Sequence, residues 1–505
     1  MSVAALKSAP RPRWRVLLVV VGVLLYALLL QGVRPLYSPD EGRYTDVALQ
    51  MLDSGDWLHP MLHHEVAHWS KPPLTYWSIA ASFAVFGRTQ FAARLPGALA
   101  FGLTILLMLR LGLRFVSAQP WLPALVYASF VFPSLASNLV TTDTLLALWE
   151  TLQVVAFVEL WWAATPSAAR RACWLLGVAA GLAFMTKGPP GLLALAACLV
   201  FAVWSEGWRG LLRAFGWQTL LAFLVVGFSW YAVVTLQDPH VLRYFLVEEV
   251  VNRVASDKMH RNPEWYGAFK VYAPTLLLGT LPWLPALALA VWRHRRNAFA
   301  HVRENADARL LACWFLLPLV VFAFARSRLP LYVIPLFAPL ALLGARQLVP
   351  FATAPRWRFA LIGGWCLALV VARAIPAWLD IAEDDGRLAR EVRAQLTSAP
   401  DEIAFVGTAP RFGLRFYLGS QIERLSLPGD PATPQTQDLA SELQEREGCR
   451  LLLERDVRRD DLEGALAAHG VTYKRLHDAR GYRLLALLSS DCAWRADSLG
   501  SGPQR

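Results

Sequence analysis

The sequence predicts a multi-pass α-helical membrane protein that ends in a small α/β domain. Three observations carry this reading. Of the 505 residues, 56% are hydrophobic and only 17% are charged, whereas a soluble chain carries about a quarter charged residues. The basic residues fall in short clusters between long apolar runs: Lys7/Arg11/Arg13/Arg15, Arg110/Arg114, Arg170/Arg171, Arg209/Arg213, Arg293/Arg295/Arg296 and Arg346/Arg356/Arg358. That is the pattern of positive-inside topology. From about Asp380 the composition shifts to frequent charges, with short β-type runs alternating with helical ones. The net charge of +11 is spread over these clusters, which argues against nucleic acid as a partner.

The elements follow in order. A basic start precedes the apolar run Val16 to Leu30, and the following QGVRPLYSPDEG offers no convincing small-x-small cleavage site, so this run is expected to be a retained first helix. Further spans are expected at 91 to 115, 121 to 138, 143 to 163, 172 to 187, 190 to 205, 215 to 236, 271 to 292, 309 to 326, 329 to 348 and 358 to 378. These make about eleven spans, or up to about thirteen if helices are broken, and every basic cluster then falls on one side. With the N-terminus cytoplasmic, the external segments are 34 to 90, the turn at Thr141, Lys187 to Pro189, 237 to 270 and Ser327 to Leu329.

The membrane domain is thus expected over residues 1–378, with its catalytic loop at 34–90. Residues 379–494 form the accessory α/β domain, built on EIAFVG, ERLSL, RLLLER and YRLLALLS. No glycine-rich phosphate loop appears in it, and residues 495–505 read as a disordered tail. Cys173, Cys198, Cys313 and Cys366 lie inside apolar runs and read as small core residues. Cys449 and Cys492 lie in the external domain, where an oxidising compartment would allow a disulfide.

The chemistry concentrates in Tyr37 to Pro73. This segment packs Asp40, Glu41, Arg43, Asp46, Asp53, Asp56, Glu65, Lys71 and four histidines between two apolar runs. Charges cost several kcal/mol at a bilayer centre, so such a segment belongs at the membrane surface. Asp40 follows the turn SPD as a helix cap, and the following RYTDVALQMLDSGDW suits an amphipathic helix lying in the interface. Asp40 could be no more than that cap, with Arg43 its solvated partner. Lys71 precedes Pro72 and Pro73, so its backbone is held extended. Its ammonium then stands at the start of the amphipathic run LTYWSIAASFAVFG, suited to a lipid-borne phosphate. His59, His63, His64, His68 and Glu65 could hold a divalent metal, but HHEVAH lacks the HExxH order and no Cys-rich partner set exists. The expectation is an interfacial, solvated histidine cluster with no bound metal.

PDEGRY, LxSGDW, WSKPPLTYW, RLP at 94 to 96 and SRLPLYVIP at 327 to 335 together resemble the aminoarabinose transferase family of lipid A modification. That family sits within the polyprenyl-phosphate-sugar glycosyltransferases of GT-C fold, related to protein O-mannosyltransferases. The resemblance covers roughly residues 15 to 350. It implies an inverting transfer from an undecaprenyl-phosphate sugar to lipid A or a related envelope acceptor, at the periplasmic face of the bacterial inner membrane. No cofactor is required. By motif it implies that Asp40, Glu41 and Asp143 of TTD are the acidic catalytic residues. Arg43, Lys71, Lys258, His260, Arg261, Arg328 and Tyr332 are implied to bind the donor phosphate and substrate. Ser70 stands where many relatives have an acidic residue before KPP, which admits another sugar such as a hexosamine or galacturonic acid. Arg328 replaces the usual lysine and keeps the charge. The alternatives are a lipid-linked glycan ligase, or a transporter or flippase of a lipid-linked anion. A transporter would want charges near the midplane and internal repeats, and neither is seen.

Overall fold

The structure is a computed structural model that describes residues 13–63, 66–245, 261–350, 356–427, 436–443, 448–455 and 459–487. The chain separates into two compact units. One comprises the residues up to Gln31 together with Leu95–Arg373, and the other Gly32–Arg94 together with Ala374 onward.

The first unit is helical. Among the described residues, seven helices are long and apolar enough to cross a membrane, or eight if the pair Gly267–Gly279 and Leu284–His294, bent by 108°, is one span. The remaining expected spans are shorter or broken: Arg13–Leu28, the pair Leu122–Ser129 and Val131–Ala136, and a 3-10 turn Pro330–Leu336 leading into Phe337–Gln347. The chain is an integral membrane protein of mostly helical architecture, as the hydropathy predicted.

The broken span has a clear cause. Phe130 is extended, and Pro133 has no N–H to give the Ser129 carbonyl four residues back. That carbonyl instead accepts from Trp365 Nε1 at 2.9 Å, while Trp283 Nε1 donates to Ser129 Oγ at 2.6 Å. A helix break inside a bilayer is tolerated when neighbouring side chains satisfy the freed groups in this way. Buried Arg373 is met likewise by the Tyr26 carbonyl at 2.9 Å and by Ser134 Oγ at 3.0 Å. Helix Pro166–Lys187 lies against Trp217–Gln237 through a small-residue seam. A Cβ on Gly177 would come within 2.3 Å of the Thr219 carbonyl oxygen, and one on Gly181 within 2.7 Å of Val226. Small residues at this spacing let two helix backbones approach where lipid supplies no hydrophobic drive.

The basic ends of several helices meet. Asp307 accepts from Arg114 at 3.0 Å and from Arg346 at 3.2 Å, and Arg110 donates to Glu159 at 2.6 Å. The parity of the spans predicted this convergence.

The second unit joins the polar segment to the C-terminal domain. Its sheet runs β1 Glu402–Val406, β2 Gln421–Ser426, β3 Gln437–Asp438, β4 Arg450–Glu454, β5 Tyr473–Arg475 and β6 Arg483–Leu487. The strand order is β3-β2-β1-β4-β6-β5, parallel from β3 to β4 and antiparallel through β6 and β5. β1 and β4 are buried along their whole length, as central parallel strands are. The four predicted β runs are all strands.

Two expectations need correction here. Helix Asp40–Ser54 does not lie on a surface, because it is buried from Glu41 to Met51 except at Arg43. It packs on helices Leu74–Phe86 and Gly413–Leu418, so closely that a Cβ on Gly42 would come within 2.4 Å of Gly413 N. The boundary at 378 also shifts: segment 32–94 shares its compact unit with the C-terminal domain. Polar links cross between them: Leu36 N to Tyr417 Oη at 2.9 Å, Ser38 Oγ to Asp385 at 2.8 Å and Arg415 to Asp53 at 2.9 Å. Cys173, Cys198, Cys313 and Cys366 are free thiols and Cys449 is disulfide-bonded. Cys492 and the tail after Trp494 lie outside the described residues.

Candidate functional site

The predicted site residues divide between the two units. In the membrane unit, Asp143 opens helix Asp143–Trp161 and Lys187 closes helix Pro166–Lys187, where Gly188 turns at φ 68°. Their side chains form a buried ion pair. The Lys187 ammonium lies 4.3 Å from the centre of the Tyr332 ring, within cation–π range. Carboxylate, ammonium and phenol ring thus converge at one mouth of the helices. Asp143 and Glu159 stand at opposite ends of one helix, about 24 Å apart at the usual rise, so this cluster is on the face opposite the arginine ends. Lys187 carries no role in the sequence reading, which only places Lys187 to Pro189 among the external segments. Two turns beyond Asp143, Glu150 is buried in the same helix, and its Oε1 has no hydrogen-bond partner among the described residues.

Arg328 stands in the membrane unit as well. It is buried, and its guanidinium donates to the carbonyls of Asn262 and Glu264 at 2.8 Å and of Ala323 at 3.2 Å. Its backbone N–H donates to the Arg261 carbonyl at 3.0 Å, and Asn262 Nδ2 returns a bond to the Arg328 carbonyl at 3.0 Å. Held on Nε and Nη1 in this way, the guanidinium fastens residues 261–264. The Arg261 side chain is exposed. Lys258 and His260 lie outside the described residues.

In the second unit, Asp40 is the first residue of helix Asp40–Ser54. Pro39 holds the cap position and no side chain caps the helix. Asp40 Oδ1 accepts from Arg43 Nη2 at 2.5 Å, and 36% of the Asp40 side chain is open. Arg43 Nε is buried without a hydrogen-bond partner among the described residues. Lys71 Nζ donates to the Ser70 carbonyl at 2.8 Å, and Ser70 Oγ lies 2.7 Å from His68 Nε2. Burial, then the positive charges of Arg43 and Lys71, hold the His68 imidazole well below its usual pKa. Arg43, Lys71 and neutral His68 therefore share a neighbourhood fit for an anion. Helix Leu74–Phe86 starts three residues after Lys71. It is apolar on all sides rather than amphipathic, with Ile79 buried and Phe86 exposed.

Glu41 differs sharply from its neighbour. It is buried, with Arg34 donating to both carboxylate oxygens at 2.7 Å and Arg94 at 3.2 and 3.0 Å. Burial opposes ionisation, but the two guanidiniums outweigh it and hold the carboxyl at about 2. Both oxygens being engaged, the catalytic role expected for Glu41 gives way to that of an anchor. The histidine cluster is not solvated as a set either, since His63 and His68 are each 2% exposed. Among the described residues the segment follows no helix there, and His64 and Glu65 lie outside them.

Residues 70–232 match the family of dolichyl-phosphate-mannose-protein mannosyltransferases. The undecaprenyl phosphate-alpha-4-amino-4-deoxy-L-arabinose arabinosyl transferase 2 of Pseudomonas fluorescens (strain Pf0-1) is 34% identical over 66% of this chain and 59% of that protein. The corresponding transferase of Pseudomonas aeruginosa (strain UCBPP-PA14) is 35% identical over 67% of this chain and 60% of its own length. The chain thus spans about three fifths of the length of these curated relatives. Among solved structures, ArnT from Cupriavidus metallidurans bound to undecaprenyl phosphate superposes with a TM-score of 0.73 at 20% identity, covering 96% of this chain and all of that one. The apo form of the same protein gives 0.76 at 19% identity. The resemblance read from the motifs is borne out, and the fold is the GT-C membrane fold with a small β-sheet domain.

Proposed function

We propose that this protein is an inverting glycosyltransferase that moves a sugar from undecaprenyl phosphate to lipid A or a related envelope glycolipid, at the periplasmic face of the bacterial inner membrane. The observation that carries this reading is the buried Lys187–Asp143 pair against Tyr332 at a helix mouth. It is supported by the likeness of the chain to transferases that use such a donor. In the reaction an acceptor oxygen attacks the anomeric carbon, and the bond from that carbon to the phosphate oxygen breaks with its electron pair leaving on undecaprenyl phosphate. Positive charge grows on the sugar and negative charge on the leaving phosphate. Preorganised cations stabilise the latter in a site short of water. Lys187 is the candidate in the membrane unit, with Arg261, Lys258 and His260 as further donor contacts, and Arg43 and Lys71 are the candidates in the second unit. Asp40, half open and held by one arginine, is assigned to the sugar or to the acceptor proton. An acceptor that is already an anionic phosphate needs no base, and Asp40 then acts through its charge.

This reading requires no metal or cofactor. Ser70, which meets His68 rather than presenting a carboxylate, leaves the sugar open between aminoarabinose and another hexose or pentose derivative. Mass spectrometry of lipid A from cells with and without the protein names the sugar by its mass increment. Asp40→Asn is expected to abolish that increment at undiminished expression. Unchanged lipid A on removing the protein, with a lipid-linked precursor accumulating in one leaflet, would instead indicate the flippase.

A further inference from the structure

Within the second unit, away from the residues assigned to transfer, two glutamates and a histidine meet in the interior. Glu402 lies at the start of β1 and Glu423 in β2, where Ala404 is the partner of Glu423. Residues 402 and 404 share a sheet face, so the two carboxylates are diagonal neighbours on one side of the sheet. His63, from the irregular stretch that precedes Ser70 and Lys71, inserts its Nε2 at 3.0 Å from Glu402 Oε1 and 2.6 Å from Glu423 Oε1. One ligand atom from each of the three lies within 4.8 Å of the others. Tetrahedral ligands at zinc are separated by about 3.3 Å, so small side-chain shifts suffice to receive an ion.

We propose that His63, Glu402 and Glu423 form a binding site for a divalent ion of the zinc type, which staples the 55–73 stretch to the sheet.

Two observations favour an ion over a bare ion pair. Glu423 is 3% exposed, yet its Oε2 has no hydrogen-bond partner among the described residues. Beside His63 and Glu423, a cavity of about 10 Å³ opens between Leu62, Val66, Phe412, Ile422 and Arg424, room for the water that completes a three-ligand site. Nitrogen with carboxylate oxygen suits zinc, and Arg450 orients Glu402 from behind as outer partners of metal ligands do.

The test uses the full chain, stripped with EDTA, reloaded with Zn2+ and desalted. Wild type is expected to retain about one zinc per chain and to melt at higher temperature when reloaded. Glu423→Gln and His63→Gln should bind zinc at least about tenfold more weakly, whereas His59→Ala keeps it. X-ray absorption of the loaded wild type, which needs no variant to fold, should report one nitrogen-type and two carboxylate ligands. No retained zinc, no change in melting, or a sulfur- or histidine-rich shell overturns the proposal and leaves the triad an imidazolium shared by two carboxylates.

Discussion

Glu41 and Asp143 are both buried acids in the first turn of a helix, yet they are held in opposite ways. Glu41 has two guanidiniums on its two oxygens, whereas Asp143 has one ammonium that also faces an aromatic ring. A carboxylate with every lone pair matched is fixed and contributes structure. One matched by a single movable lysine can exchange that partner for a substrate phosphate or sugar. The contrast separates the anchor of the second unit from the pair proposed for transfer in the membrane unit.

The sharpest way to break this contrast is Glu41→Gln. It leaves two arginines buried against a neutral amide and should cost about 3–5 kcal/mol of stability, read by thermal unfolding, while the folded fraction keeps its turnover. Lys187→Ala should do the reverse and lower transfer by about 10²–10³-fold in an assay with undecaprenyl-phosphate sugar, with Lys187→Arg recovering part of it. Near-normal transfer in Lys187→Ala would remove the membrane pair from the chemistry. Acid sharpens the anchor side. The Glu41 carboxyl, about 2 when folded, lies below its unfolded value, so its contribution is complete above about pH 4.5. It is lost as pH falls toward 2, a loss of roughly 3 kcal/mol that Glu41→Gln should not show. The smallest effect is expected for Arg328→Lys, about 1–3 kcal/mol from lost carbonyl bonds, with the KM for donor unchanged. A raised KM would return Arg328 to the phosphate.

Much of this was legible in the residues. Apolar runs bounded by arginines located the helices, since burial of charge in lipid is prohibitive whatever the tertiary arrangement. The alternating runs after Asp380 located four strands. Asp143 and Tyr332 were found through TTD and SRLPLYVIP, because polar residues at the end of an apolar run have few structural reasons to be there. Lys187 was passed over because a lysine closing a helix is equally an ordinary end charge; only its approach to Asp143 and Tyr332 distinguishes it. Arg328 shows the converse, since its charge is visible in a sequence but the carbonyls that hold Nε and Nη1 are not.

Helix Asp40–Ser54 shows the same limit. Its mixture of apolar and charged residues read as a surface helix, but Arg34 and Arg94 reach Glu41 from 7 and 53 residues away and Arg415 reaches Asp46 from the far end of the chain.

By itself the sequence determined the membrane class, the helix ends, the strands of the C-terminal domain and the motif order that ties the chain to its relatives. These depend on hydrophobicity and period, which act along the chain. Tertiary structure alone decided which charges are engaged and which stay available, and that the 32–94 segment packs with the C-terminal sheet. It also brought His63 to Glu402 and Glu423, 339 and 360 residues away. Partner choice among buried charges depends on distances across the fold, and local sequence does not encode them.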